Sequence, residues 1–391
     1  MNRDAVIVSA VRTPIARRAG ALASLPAHKY GAVVVKEAIG RAGVAAEMID
    51  DVIMGNVLSG GGNIARLTAL EAGLSLDIAG MTLDRQCGSG ISAIQVAAQA
   101  INAGDGDVYI AGGLESYSQA PFLMKRSSRA YPMRPPEFQK SFPLSPEEVG
   151  NPSMGITAEN IAKQYHVSRE EQDEFSFHSQ QKMAQAMAEG RFDEQMVPIM
   201  VPQKKGEPRR FDTDEHPRPN STMEDLAALP SAFLEDGTVT AGSSSGLNDA
   251  ACALVVMSRE KAEELGIKPM AVARERSVAG VDPNMMGIGP VPATRKILKK
   301  SGLTLDDFDL IEINEAFAAQ VIACDRELHM DPAKVNVNGG AIAHGHPLGA
   351  TGAILATKAI YELKRTEGRY ALVTACVGGG QGVAMILERE S

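Results

Sequence analysis

Residues 87–101 read CGSGISAIQVAAQAI, and residues 346–360 read HPLGATGAILATKAI. A shift of 259 residues lays one on the other without a gap, with Gly90 on Gly349, Ala97 on Ala356 and Ala100-Ile101 on Ala359-Ile360. Each stretch opens on a residue with acid–base chemistry and continues with small and apolar residues at helical spacing. The same shift carries VKEAIGRAGV (35–44) onto TRKILKKSGL (294–303), with Gly43 on Gly302, and IDDVIMGN (49–56) onto FDLIEINE (308–315). Self-similarity at a fixed offset is the mark of a duplicated unit. The chain reads as two related halves, with Cys87 in one at the position His346 holds in the other.

Outward from this pair, strand and helix alternate. AVIVSAV (5–11) is a β-branched run stopped by Arg12-Thr13-Pro14, and a helix is expected over 28–43. MIDDVIMGNVL then leads into the turn SGGGN (59–63), a helix follows Cys87, and DVYIAGG (107–113) is the next strand. This order predicts an α/β architecture with buried sheets. The middle, roughly 115–245, departs from it. KRSSRAYPMRPPEFQKSFPLSP has no period, Ser168-Arg169-Glu170-Glu171 has capping-box spacing ahead of a helix reaching Gly190, and QKKGEPRRFDTDEHPRPNST is a polar loop. It reads as an insertion that covers something.

The totals bound the function. At 391 residues the chain exceeds one ordinary core. A net charge of −9 argues against a nucleic-acid protein but leaves room for an anionic small molecule held at a local positive site. No stretch reaches the roughly 20 apolar residues that span a bilayer, and neither terminus carries a signal-peptide core or a retention address. The four cysteines (87, 252, 324, 376) form no CxxC pair, so neither a disulfide framework nor a zinc site is expected, and a reducing cytoplasm fits best. His344-Gly345-His346 has no partner at metal-motif spacing, and SGGGN lacks the ending of a phosphate loop. No metal is expected.

If a pseudo-twofold axis relates the halves, Cys87 and His346 face each other from two helix N-termini, with Pro347 at the first helical position. Unpaired backbone N–H groups and the helix dipole favour a thiolate there, and the imidazole can take its proton. Glycines 88, 90 and 345 remove side chains that would block a substrate. A second cluster, TACVGGGQG (374–382), is a strand, a sharp turn and a strand with Cys376 at the turn. By itself it is a tight hairpin. Asn314, where a strand gives way to a helix, is by itself an N-cap. Cys252 and Cys324 lie in apolar runs and belong to the core.

Taken together, RQCGSG (85–90), INEAFAAQ (313–320), NVNGGAIAHGHPLGATGA (336–353) and CVGGGQG (376–382) resemble, in order, the four active-site motifs of the thiolase family. RTPIARRAG (12–20), MGITAENIAKQY (154–165) and TVTAGSSSGLNDAA (238–251) extend the resemblance over essentially the whole chain. It implies a five-layered α/β/α/β/α sandwich of two βαβαβαββ halves, divided as 1–118, a loop domain over 119–245 that covers CoA and substrate and returns to the first half, and 246–391, assembled as a homodimer or homotetramer. It implies that Cys87 takes the acyl group, that His346 deprotonates it and holds a thioester oxygen together with Asn314 through a water, and that Cys376 is the second acid/base. The backbone N–H groups of Cys87 and Gly378 would form the other oxyanion hole. Breaking a carbon–carbon bond beta to a thioester needs these parts: a nucleophile, a proton donor and fixed dipoles for two oxyanions.

The resemblance implies coenzyme A and acyl-CoA as substrates, with no permanently bound cofactor. Ser153, Met154, Ser245 and Phe317 would lie near substrate. For Arg218 and the KKGEPRR loop, contact with the CoA phosphates and a solvated loop both fit. Short-chain biosynthetic thiolases carry a His-Met pair where this chain has Ser153-Met154, and residues 121–152 are unlike theirs. Loss of that imidazole favours a 3-ketoacyl-CoA thiolase of broader or longer chain preference, with an acetoacetyl-CoA thiolase (acetyl-CoA acetyltransferase) as the alternative. A decarboxylating ketoacyl synthase and a non-catalytic acyl-CoA-binding subunit associated with β-oxidation enzymes are the further alternatives. His344, where an aliphatic residue is common, either perturbs His346 or faces solvent.

Overall fold

The computed structural model describes residues 3–59, 62–131, 135–139 and 142–390, so Gly60 and Gly61 of the SGGGN turn and parts of the aperiodic 125–146 stretch lie outside the described residues. The first half runs β1 (Ala5–Arg12), α1 (Ala27–Ala42), β2 (Asp51–Gly55), α2 (Ile64–Glu71), β3 (Ala79–Leu83), α3 (Ser89–Ala103) and β4 (Val108–Ser116). An insertion containing α4 (Met154–Gln164) and α5 (Arg169–Ala188) follows, and the chain returns as β5 (Asn248–Ser258). The second half runs β6 (Ala271–Gly280), α6 (Pro290–Ser301), β7 (Leu310–Ile313), α7 (Ala318–Leu328), α8 (Leu348–Thr366), β8 (Tyr370–Val377) and β9 (Gln381–Arg389).

The strands lie in the order β7-β8-β9-β6-β1-β5-β4-β2-β3. The two half-sheets join where Val6 and Ile7 of β1 meet Val272 and Ala271 of β6. Side chains show five layers around this narrow seam. One core packs α1 and α2 (Val34, Val35, Ala65) on one face of the first half-sheet (Val6, Val52, Val255). A second packs α3 and α8 (Ile91, Ile94, Ile354, Leu355) between both half-sheets (Ile7, Leu254, Val373, Met385). A third packs α6 and α7 (Ile297, Val321) on the far face of the second (Ile311, Leu372, Ile386). Strands covered on both faces have no polar side to show, which is why they read as apolar runs rather than alternations.

The repeat survives in detail. Helices α1 and α6 both stop at a left-handed glycine, Gly43 (φ 68°) and Gly302 (φ 76°). Helices α3 and α8 begin at Ser89 and Leu348, the same 259 apart. They cross closely because the contact is made of glycine: a Cβ on Gly90 would lie 2.5 Å from Ala353 N, and one on Gly352 would lie 2.4 Å from Ile91 N. The halves diverge at their edges. Where the first has β3, the second has a single parallel bridge between Ile311 and Val335.

Sheet pairing groups β5 with the first half, between β1 and β4, so the division at 246 falls one strand early. The expected return to the first half is made by β5 itself, just past that boundary. Ser168 and Glu171 form the expected capping box on α5, with Ser168 Oγ accepting from Glu171 N–H at 3.1 Å and the Glu171 carboxylate accepting from Ser168 N–H at 2.7 Å. The insertion is clasped to β1 by a buried bidentate pair: Arg12 donates to Asp214 at 2.8 and 2.9 Å, and to Gln195 Oε1 at 2.9 Å.

Candidate active site

Cys87 precedes the Gly88 N-cap of α3, and His346 precedes the Pro347 N-cap of α8. Proline thus stands one position earlier than expected, with Leu348 the first helical residue. Both side chains are buried. Burial is the largest influence on the Cys87 thiol, opposed by the nearby backbone N–H groups of Gly378 and of Cys87 itself, which favour the thiolate. Burial outweighs them and pushes the thiol up to about 11. At rest the thiol therefore keeps its proton, because desolvation of the charged form exceeds what the two N–H groups return, and a base is needed to take that proton as the sulfur reacts.

His346 is held on three sides. Its backbone N–H donates to Asn248 Oδ1 at 3.0 Å. Its Nδ1 lies 2.7 Å from Thr351 Oγ1, and its Nε2 lies 3.4 Å from Asn314 Nδ2. The Thr351 hydroxyl spends its one proton on the Pro347 carbonyl at 3.0 Å, so its oxygen must accept from Nδ1–H. That fixes the tautomer and turns a bare lone pair at Nε2 toward Asn314. Burial lowers the imidazole to about 4, so it is neutral across the physiological range.

Asn314 ends the strand rather than capping the helix, since Phe317 is the N-cap of α7. Its backbone N–H donates to Thr374 O at 2.9 Å, two residues before Cys376, and its buried Oδ1 has no protein partner among the described residues. Cys376 is buried in β8, within electrostatic reach of Cys87, and burial raises its thiol well above the usual range. Beyond it the chain turns through Gly379 and Gly380 at φ 79° and 78°, a conformation that glycine adopts without strain.

The substrate-side residues divide. Met154 and Phe317 pack in one apolar cluster with Cys376 and Met286. Phe233 stacks edge-on against Phe317 at 6.0 Å and fills the space above Gly155, so the first turn of α4 is pressed onto this cluster. The backbone N–H of Ser245 donates to Ala316 O at 3.0 Å, Ser244 pairs with Phe317, and Leu247 pairs with His346. Segment 244–247 thus stitches the insertion's end to both catalytic motifs. Ser153 is exposed at the N-cap of α4 with no side-chain capping bond. Arg218 is exposed, its backbone N–H donating to Gln180 Oε1 at 2.9 Å, and no described contact joins it to Cys87 or His346. His344 does not face solvent: it is 2% exposed, and its Nδ1 sits 2.8 Å from Gly345 O.

Sequence reasoning missed Thr351, Asn248 and Glu115. Glu115 is a buried carboxylate that accepts from Gly349 N–H in the first turn of α8 and from Leu58 and Ser59 N–H, each at 3.0 Å. Thr351, in the helical turn directly below His346, had a local signal; Asn248 and Glu115 had none. Among the described residues no group of His, Cys, Asp or Glu could hold a metal.

A thiolase N-terminal domain model matches residues 5–260, and a thiolase C-terminal domain model matches 267–389. The acetyl-CoA acetyltransferase of Cupriavidus necator is 46% identical over 391 residues, covering 99% of this chain and 100% of the relative. The structure of the Bacillus anthracis acetyl-CoA acetyltransferase superposes with a TM-score of 0.96 at 43% identity, covering all of both chains. That of human mitochondrial 3-ketoacyl-CoA thiolase in complex with CoA superposes with a TM-score of 0.93 at 40% identity, covering 100% of this chain and 98% of the other.

Proposed function

The chain belongs to the thiolase family and is an acyltransferase, and from that premise we propose that it cleaves 3-ketoacyl-CoA with coenzyme A through an acyl-enzyme on Cys87. The observation that carries this reading is the meeting of four distant segments, with the Gly378 N–H beside the Cys87 thiol, Asn314 on the His346 imidazole, and Asn314 N–H on Thr374 two residues before Cys376. The Cys87 sulfur attacks the 3-keto carbon while its proton passes to His346 Nε2. With the thiol near 11 and the imidazole near 4, that transfer accompanies attack rather than preceding it. The C2–C3 bond then breaks, its electron pair goes to C2 of the departing acetyl-CoA, and Cys376 supplies the proton there. A CoA thiol gives its proton to Cys376 and takes the acyl group from Cys87, while His346 returns its proton to the Cys87 sulfur. Backbone N–H groups of Cys87 and Gly378 stabilise one oxyanion. His346, once protonated, stabilises the other together with a water held by Asn314 Oδ1.

Substrate breadth follows from the mouth of the site. Ser153 places a small, solvent-facing side chain at the start of α4, beside Met154 and the Phe233–Phe317 pair. This favours 3-ketoacyl chains longer than acetoacetyl, whereas the name of the Cupriavidus necator relative favours the acetoacetyl-CoA reading. Thiolysis rates from acetoacetyl-CoA upward in chain length separate the two: a maximum beyond four carbons supports the first, a steep fall after acetoacetyl-CoA the second. Brief exposure to acetyl-CoA should add one acetyl group by intact mass, lost in Cys87→Ser. No adduct on the unaltered protein would sink the mechanism.

We also infer a homo-oligomer built on the sheet edge at β3. Among the described residues this strand pairs only with β2, and Met81, Leu67, Leu70 and Leu76 beside it are exposed, an unprotected edge of the kind that pairs with another chain. Light scattering of the protein and of Met81→Lys tests it. All four cysteines are free, which fits a reducing compartment. Among the described residues no helix is long and apolar enough to cross a membrane.

A further inference from the structure

A cavity of about 530 Å³ lies outside the Cys87–His346 centre, between α5, α7 and the loop 330–336. Its origin is the unequal edge of the two halves. The second half has no full strand beside β7, only the Val335 bridge, and the insertion's α5 covers the gap without filling it. The volume falls within the roughly 300–1,000 Å³ of small-molecule sites. The wall is mainly apolar, formed by Phe175, Val321, Met330 and Val335.

Its polar groups are unequal. Glu315 is fully engaged: one carboxylate oxygen accepts from Asn336 Nδ2 at 2.8 Å, the other from Ser179 Oγ at 2.7 Å and from Ile342 N–H at 3.2 Å. His178 is on the rim, exposed and 3.8 Å from Glu174. The Asp325 carboxylate caps the chain at Met330 N–H, at 2.9 Å. Lys182 differs. It is half-buried, its ammonium donates to the Val335 carbonyl at 2.9 Å, and no carboxylate among the described residues closes on it as an ion pair, although those of Glu315 and Glu312 lie within electrostatic reach. A half-buried ammonium with donors to spare, at the wall of an apolar chamber, is complemented by an anion that carries its own apolar body.

We propose that this cavity is a second ligand site, separate from the acyl-transfer centre, that takes an aliphatic carboxylate with its head on Lys182 and its chain between Phe175, Val321 and Met330. Glu315, in its wall, adjoins Asn314, which touches His346. A ligand seated there therefore lies one residue from the catalytic frame without entering it. The site exists whether or not the preferred acyl chain is long.

The test is calorimetric titration of the full-length protein with octanoate, alone and in saturating CoA. The expected result is one saturable site that CoA does not displace, weakened by about tenfold in Lys182→Met, as for loss of a charge-assisted contact. It should be abolished in Ala333→Trp, which fills the chamber from an exposed loop position and spares the fold. Octylamine, with the same chain and the opposite charge, should bind more weakly. Absence of saturable binding, displacement by CoA, undiminished affinity in Lys182→Met, or equal affinity for octylamine would each overturn the assignment. Acyl-enzyme formation on Cys87 is read separately by mass, so a failed titration leaves the thiolase reading intact.

Discussion

Helices α3 and α8 begin at equivalent positions, pack against each other through glycine, and each presents a buried reactive side chain two residues ahead of its first turn. Their surroundings differ. Neither N-cap makes a side-chain capping bond, but the start of α3 is bare of distant side chains among the described residues: Gly88 and Ser89 N–H donate to the nearby Arg85 and Gln86 carbonyls, and Ser89 Oγ accepts from Arg85 N–H. The start of α8 is heavily furnished, with Glu115 on Gly349 N–H, Asn248 on His346 N–H, and Thr351 on the ring. The difference follows from the work assigned to each. A nucleophile needs open space for a carbonyl to arrive, and unpaired N–H groups to receive the charge that develops. A base needs one tautomer and one orientation, which only fixed neighbours supply. One duplicated backbone thus became two specialised ends by changing what is packed around it.

The largest effect should come from the bare end. Cys87→Ala removes the acyl carrier and should lower thiolysis by on the order of 10⁴-fold or more, with no acetyl adduct in intact mass. An adduct that persists in this variant would move the nucleophile elsewhere, Cys376 being the nearest alternative. At the furnished end, His346→Ala should cost about 10²–10⁴-fold, as for loss of a general base. Asn314→Ala should cost about 10²–10³-fold, as for one oxyanion ligand. If Asn314→Ala and His346→Ala combined are no worse than His346→Ala alone, the two act as one unit, as their 3.4 Å contact suggests.

How much of this contrast is readable in sequence depends on how local its cause is. The offset of 259, the left-handed glycines at 43 and 302, and the capping box at Ser168 are written in adjacent residues and were legible. The pairing of Cys87 with His346 was legible too, because duplication turns a long-range relation into an alignment. Asn248 is 98 residues from His346, and Glu115 is 234 from Gly349, so nothing local announces either. The return to the first half is expected, but the strand that makes it, β5, is not placed by sequence, because the insertion before it leaves no local signal of which sheet it joins. The resting protonation state of Cys87 is not readable locally for a related reason: the helix end is a local feature that favours the thiolate, while the burial that opposes it is assembled from both halves.

Burial also gives the two ends opposite pH limits. The imidazoles of His346 and His216 fall from 6.5 to about 4. Below pH 6.5 the unfolded chain therefore takes up protons that the folded one refuses, and stability declines as pH falls toward 4. Cys87 rises from 9.0 to about 11. Above pH 9 the unfolded chain loses a proton that the folded one keeps, so stability declines as pH rises toward 11. Urea midpoints across pH should show His346→Gln softening only the acid decline and Cys87→Ala only the alkaline one. If either variant alters both limbs, or neither, the two sites do not titrate independently as buried neutral groups.

The smallest effect is the most discriminating. Thr351 is fully buried behind the imidazole; it positions His346 by accepting from Nδ1–H while its own proton is held by Pro347 O. Thr351→Val keeps the shape and removes the acceptor, leaving Nδ1–H unpaired in a buried setting. The ring can then exchange tautomers, and some molecules present Nε2–H where a lone pair is required. The loss should be about fivefold in kcat, of the size of one hydrogen bond, with KM unchanged. Thr351→Ser keeps the hydroxyl and should restore the rate. If Val and Ser slow the enzyme alike, Thr351 serves packing alone. The furnished end would then owe its orientation to Asn248 and Asn314, and the tautomer would be set from the Nε2 side.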